Sequence, residues 1–147
     1  MRTTTGRCLC GDLTYQFDGE PLWVEYCHCE SCRRQTSSAV AIFVGLDTTQ
    51  FRYTRGKPAG YASSPGVMRS FCARCGSPMS FEAAKWPSEI HLYLGTLSEP
   101  ATFVPTRHVH IAEKLPWFEV ADTLARHAHD GAAPADQSQR LAAPSQI

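Results

Sequence analysis

No run of apolar residues in this sequence approaches the roughly 20 that a bilayer-spanning helix needs, so the membrane interior is not its expected environment. Net charge is missing as well: 14 Lys and Arg balance 14 Asp and Glu. A neutral chain has little electrostatic drive toward nucleic acid or an anionic membrane, and neither is expected as a partner. Residues 1–6 (MRTTTG) lack the apolar stretch of an export signal, which makes a reducing cytoplasm the expected compartment. Disulfides are rare there. There is no internal repeat.

What is present suits one folded domain. The chain has 147 residues, enough to bury a real core, with 43% apolar and 19% charged residues. Several short segments read as strands. Leu13–Phe17 alternates apolar and polar side chains, as a half-buried strand does. Leu22–Tyr26 is rich in aromatic and aliphatic groups, and Ala39–Val44 is a short continuous apolar run expected of a buried strand. Phe51–Thr54, Val67–Phe71, Ile90–Leu94 and His108–Ile111 follow. Turn signals separate them at Asp18-Gly19, Arg55-Gly56-Lys57-Pro58, Ser64-Pro65-Gly66 and Glu99-Pro100. Glu30–Thr36 reads as a short helical turn and Ala121–Ala128 as a short terminal helix. The expected class is mainly β, a sandwich or open barrel. The expected domain spans residues 1–120, with an irregular or helical tail over 121–147. From Ala132 to Ile147 the tail is rich in Ala, Pro, Ser and Gln and cannot bury enough surface to fold alone.

Seven cysteines dominate the chemistry: Cys8, Cys10, Cys27, Cys29, Cys32, Cys72 and Cys75. Scattered cysteines would be small buried hydrophobes. These instead fall as Cys-x-Cys, Cys-x-Cys-x2-Cys and Cys-x2-Cys, and an odd number cannot all pair in disulfides. Clustered thiolates of this kind bind zinc at Zn–S distances of about 2.3 Å. Four thiolates close a structural zinc site, whereas a reactive zinc keeps three protein ligands and an open position. Seven cysteines divide as four plus three in more than one way. Cys29, Cys32, Cys72 and Cys75 would make a zinc ribbon and strand the others. Cys8, Cys10, Cys72 and Cys75 would leave Cys27, Cys29 and Cys32 as one contiguous trio, which is the more economical division.

The cysteines sit in recognisable surroundings: residues 6–11 (GRCLCG), 27–33 (CHCESCR), 71–77 (FCARCGS), 95–97 (GTL), His108-Val109-His110 and 114–117 (KLPW). In these elements the chain resembles the glutathione-dependent formaldehyde-activating enzyme family, the CENP-V/GFA domain, over about residues 6–118. The resemblance implies an Mss4-like fold of layered antiparallel sheets. It implies two zinc ions, with Cys8, Cys10, Cys72 and Cys75 as structural ligands. Cys27, Cys29 and Cys32 match the family's catalytic zinc ligands. It implies the condensation of a thiol such as glutathione with formaldehyde, a carbon–sulfur lyase-type activity.

Other residues have expected supporting roles. His28, between two ligands, should point away from their metal. His108 and His110 should share a strand face by the period of two. Arg33 and Arg34 are the cations nearest the trio in sequence, and one of them facing the site is weighed against both being solvated. Arg33, Arg34, Arg69 and Lys114 are candidates for holding an anionic thiol. Lys114 is expected to pair with a carboxylate of substrate or protein, and Trp117 to be a core or pocket-wall aromatic. Gly11 and Gly76, after ligand pairs, should take positive φ. His127 and His129 are expected to be solvated. Two other classes stay open: a non-catalytic zinc module that binds a partner protein, and a redox or metal-handling protein using free thiols.

Overall fold

The computed structural model describes residues 1–131. Eleven strands and one α-helix follow in chain order: β1 (Thr3–Arg7), β2 (Thr14–Asp18), β3 (Trp23–Cys27), α1 (Glu30–Thr36), β4 (Ala41–Asp47), β5 (Phe51–Arg55), β6 (Ala59–Ser64), β7 (Val67–Phe71), β8 (Pro78–Ala83), β9 (Glu89–Tyr93), β10 (Arg107–Val109) and β11 (Ala125–Arg126). They form two sheets, one of three strands in the order β1-β2-β5 and one of eight in the order β11-β10-β3-β4-β9-β8-β7-β6. Pairing is antiparallel except at one edge, where β10 runs parallel to both β3 and β11. The layered β fold expected from the sequence is the fold observed.

The alternation of side chains decides what each face of the large sheet does. Ile42, Val44 and Leu46 on β4, with Ile90 and Leu92 on β9, pack against Leu13, Tyr15 and Phe17 beside the small sheet. Phe43 and Tyr93, from the alternate positions of the same strands, pack on the opposite face with Phe81, Val109 and the Cys27 trio. The large sheet is therefore buried on both sides at its centre. That explains why residues 39–44 read as a continuous apolar run instead of an alternating one.

Two expectations are corrected at the C-terminal end. Residues 121–128 do not form a helix. Asp122 accepts from the Leu124 backbone N–H at 3.0 Å, and the following residues add β11 beside β10. His127 N–H donates to the His108 carbonyl at 2.9 Å and His110 N–H to the His129 carbonyl at 2.7 Å, so backbone pairing with β10 replaces helical pairing. The second correction concerns His110. The strand ends at Val109, and His110 takes the left-handed conformation at φ 56°, which breaks the period of two between it and His108. The tail expected over Ala132–Ile147 lies outside the described residues. No helix among the described residues is long and apolar enough to cross a membrane.

Candidate metal centres and the cavity beside them

The first cysteine cluster is built by two turns. Cys8 and Cys10 follow β1; Cys72 and Cys75 lie between β7 and β8. Gly11 N–H donates to the Cys8 carbonyl at 3.2 Å and Gly76 N–H to the Cys72 carbonyl at 2.8 Å. Both glycines have the positive φ expected, +83° and +77°. Backbone N–H groups also aim at sulfur: Leu13 N lies 3.3 Å from Cys8 Sγ. Ser77 joins the turns by accepting from Leu9 N at 3.0 Å and approaching Cys75 Sγ at 3.2 Å. The Ser77 contacts draw the Cys75 thiol down to a pKa of about 5.

All four sulfurs lie within 4.8 Å of one another. The Cys8–Cys10 and Cys10–Cys72 sulfur separations are 3.6 and 3.7 Å. Zinc–sulfur bonds of about 2.3 Å in a tetrahedron place sulfurs about 3.8 Å apart, so these residues fit a zinc ion.

The second cluster joins the end of β3 to the start of α1. Cys27 is the last residue of β3, and Cys29 caps α1, its sulfur accepting from Cys32 N at 3.3 Å. The three sulfurs again lie within 4.8 Å of one another, and all three residues are buried. Either cluster could hold a metal ion, and the division into four and three matches the economical one read from the sequence. Hydrogen bonds among the sulfurs hold the Cys32 thiol well below its ordinary pKa, those from Cys27 first and Cys29 next, with the Arg69 guanidinium adding to them. The same sharing pushes Cys27 well up.

The cation at this cluster is Arg69, and neither Arg33 nor Arg34 fills that place. Arg69, on β7, is only 1% exposed. Its Nη1 donates to Cys32 Sγ at 3.5 Å and to the Tyr93 hydroxyl at 3.3 Å, and its Nε donates to Ser63 at 3.0 Å. Arg33 instead donates to the Glu113 carbonyl, and Arg34 pairs with Glu30 on the surface of α1. Proximity in sequence misled here, because the third residue of β7 reaches the trio across the sheet.

His28 turns away from the trio, as expected of a residue between two ligands. Its Nε2 meets His108 Nδ1 at 2.8 Å, and His108 Nε2 meets the Asp122 carboxylate at 2.9 Å. Tyr26 stacks on His108 with ring centroids 4.5 Å apart. Burial pushes His28 down to a pKa of about 4. Lys114 pairs with protein groups, the Glu119 carboxylate at 2.7 Å and the Phe118 carbonyl at 2.9 Å. Trp117 is not a core residue: it is 74% exposed, and its neighbour Phe118 takes the packing position beside His28. His127 is half-buried and His129 exposed; neither belongs to a group that could hold a metal among the described residues.

Beside the trio lies a cavity of about 240 Å³. All three cysteines of the trio line it, together with Phe43, Phe81 and Val109 from the sheet. Its polar lining includes Glu25, Glu89, His91, Arg107, His110 and Asp130. Only His110 among these was singled out from the sequence. Glu89 and His91 share the alternation of a strand read mainly for its apolar positions, and nothing local marks Glu25 or Asp130.

Fold and site together define a cysteine-rich β protein with two cysteine clusters, the buried trio lining this cavity. Residues 3–113 match the family model of the glutathione-dependent formaldehyde-activating enzymes, and the chain belongs to that family. No curated protein matches. Among solved structures it is similar to a Rhodobacter sphaeroides protein determined as a structural-genomics target. That likeness has a TM-score of 0.56 and 23% identity, covers 64% of this chain and 87% of that one, and speaks to the fold.

Proposed function

We propose that this protein is a zinc-dependent enzyme of the carbon–sulfur lyase type, joining a small carbonyl such as formaldehyde to a thiol such as glutathione, or reversing that step. The observation that carries the reading is that Cys27, Cys29 and Cys32, whose sulfurs lie within 4.8 Å of one another, all line the cavity. Cys8, Cys10, Cys72 and Cys75 would then hold a structural zinc, and Cys27, Cys29 and Cys32 would hold a second zinc beside the cavity. A zinc ion held there supplies Lewis acidity, which favours the thiolate of a bound thiol or polarises a carbonyl.

In the forward direction the thiol sulfur bonds to the carbonyl carbon, the carbonyl π pair moves to oxygen, and the thiol proton ends on that oxygen. Two features of the chain prepare this step. Arg69 sets a positive charge against the charge of the trio. Phe43, Phe81 and Val109 line the cavity with apolar surface that excludes water, where charge interactions are stronger. In this reading residues 1–120 carry the chemistry in the cytoplasm. The appended segment contributes Asp130 and Gly131 to the cavity wall.

Nuclear magnetic resonance of glutathione mixed with formaldehyde follows adduct formation directly. The zinc-loaded protein is expected to bring the mixture to equilibrium faster than buffer, and Cys29→Ser to abolish the acceleration. A protein with both zincs bound that leaves the rate at its background value contradicts the reading.

A further inference from the structure

We propose that the end of the cavity away from the cysteine trio is a subsite for an ammonium group on the thiol substrate, with the Glu89 carboxylate as its counter-charge. The proposal rests on the reading of this cavity as the thiol site, and it adds a substrate class to it.

The geometry begins with the register of the large sheet. Trp23 lies opposite Gly45, Gly45 opposite His91, and His91 opposite Phe81. Gly45 has no side chain, and the Trp23 indole occupies the space a Cβ there would need. The indole therefore reaches across to His91, with ring centroids 4.5 Å apart. His91 also lies 5.3 Å from Phe81, stacked, and 5.4 Å from Trp86. This row is one end of the cavity; Cys27, four residues beyond Trp23 on β3, marks the other. Four strand residues span about 13 Å at about 3.3 Å each.

Glu89 is fixed at the Trp23 end. Its Oε2 accepts from His91 Nε2 at 3.0 Å and from Trp23 Nε1 at 3.3 Å. Both donors are neutral in this setting, because burial lowers the pKa of His91. The hydrogen bond from His91 keeps the Glu89 carboxyl below its ordinary pKa, hence ionised near neutral pH. The other two cavity carboxylates are matched by cations of this chain. Glu25 holds Arg107 at 2.7 Å, and Asp130 holds Lys85 at 2.7 Å. Arg107 is further engaged by the Gly131 carbonyl at 2.6 Å. Among the described residues the lining carries three carboxyl groups, those of Glu25, Glu89 and Asp130, and one guanidinium, that of Arg107. With Lys85 counted from outside the lining, the acidic side chains of these described residues still outnumber the cations by one.

An extended anionic thiol bound in this cavity meets that surplus and is disfavoured. An ammonium at Glu89 is favoured, and the apolar walls strengthen the ion pair relative to water. The aromatic rings here already accept cations: Arg107 lies 5.6 Å from the Trp23 centroid and Lys85 4.8 Å from that of Trp86. Two sources supply this chemistry, a simple aminothiol and the α-ammonium of glutathione itself.

The test is calorimetric titration of the zinc-loaded protein with three six-carbon thiols that differ only at the far end: 6-aminohexanethiol, 6-mercaptohexanol and 6-mercaptohexanoate. The cationic thiol is expected to bind at least tenfold more tightly than the neutral one, and the anionic thiol most weakly. Glu89→Gln, with zinc content and melting temperature verified, is expected to shrink the cationic preference to less than threefold. Equal binding by all three, preference for the anion, or an order untouched by Glu89→Gln overturns the proposal. Glutathione and its N-acetyl derivative separate the two sources. Tenfold weaker binding on acetylation assigns the subsite to the tripeptide's ammonium; equal binding, with the six-carbon order intact, assigns it to a simpler aminothiol. The enzyme reading fails separately: it falls if none of these thiols gives catalysed adduct formation with formaldehyde, whatever their order of binding.

Discussion

His28 Nε2 and His108 Nδ1 share a hydrogen bond across 2.8 Å of the protein interior. The Asp122 carboxylate, which can only accept, extends it by accepting from His108 Nε2 at 2.9 Å. His28 is flanked on both sides by cysteines of the trio, so this relay anchors the cysteine-bearing turn to the segment that follows β10. The His108 bond draws Asp122 down to a pKa of about 2.

The relay makes the fold sensitive to mild acid. His28 titrates near 4 in the folded chain, below the ordinary imidazole value of about 6.5. Between those values the unfolded chain binds a proton that the folded chain does not, so stability is lost as the pH falls through that window. A His28→Gln variant keeps a donor toward His108 and cannot titrate. Thermal melts from pH 7 to pH 4.5 should show the wild type losing several degrees more than His28→Gln. Parallel losses would remove His28 as the sensitive group.

Arg69 is expected to matter for both stability and metal binding. Arg69→Met leaves the Cys32 thiolate and the Tyr93 hydroxyl without their donor. Breaking a buried charge interaction from one side costs about 3–5 kcal/mol. Denaturant unfolding should show a loss of that size, and competition with a zinc chelator should strip the trio's ion more readily than in the wild type. Arg33→Leu should be nearly silent in both assays, since Arg33 reaches a carbonyl away from the trio.

Gly45→Ala tests the packing that shapes the far end of the cavity. The added methyl occupies the volume of the Trp23 indole, and overpacking of this kind costs about 1–3 kcal/mol. Displacement of Trp23 also removes an indole donor from Glu89. The expected result is a lower melting temperature, altered tryptophan fluorescence and weaker thiol binding, with zinc content kept at both clusters.

Much of this architecture was legible in the sequence, for identifiable reasons. Residues 67–71 and Glu30–Thr36 match their elements to the residue, the first following the Ser64-Pro65-Gly66 turn signal and the second starting within the Cys27 cluster. The clustering of seven cysteines pointed to two groups that could hold a metal ion, and the more economical of its divisions is the one the sulfur positions show. Three strands went unread. β1 (TTTGR) and β6 (AGYASS) are polar or small-residue edge elements whose pairing depends on neighbours, and β8 opens on Pro78. The supposed terminal helix failed because pairing with β10 outweighed local preference. The cavity was hidden for the same reason as the reach of Arg69 to the trio: its walls come from five strands and residues up to Gly131, and the sheet register brings them together.

The most direct test of the account is the zinc content of freshly purified protein, measured before and after Cys29→Ser. Two zincs per chain falling to one, with the melting transition retained, is the result predicted by the proposal that the Cys8 quartet is a structural site and the trio a separable reactive one. Cys72→Ser, by contrast, should abolish the cooperative transition. One zinc per chain at the outset, or unfolding on Cys29→Ser, would contradict the division into a structural and an open site.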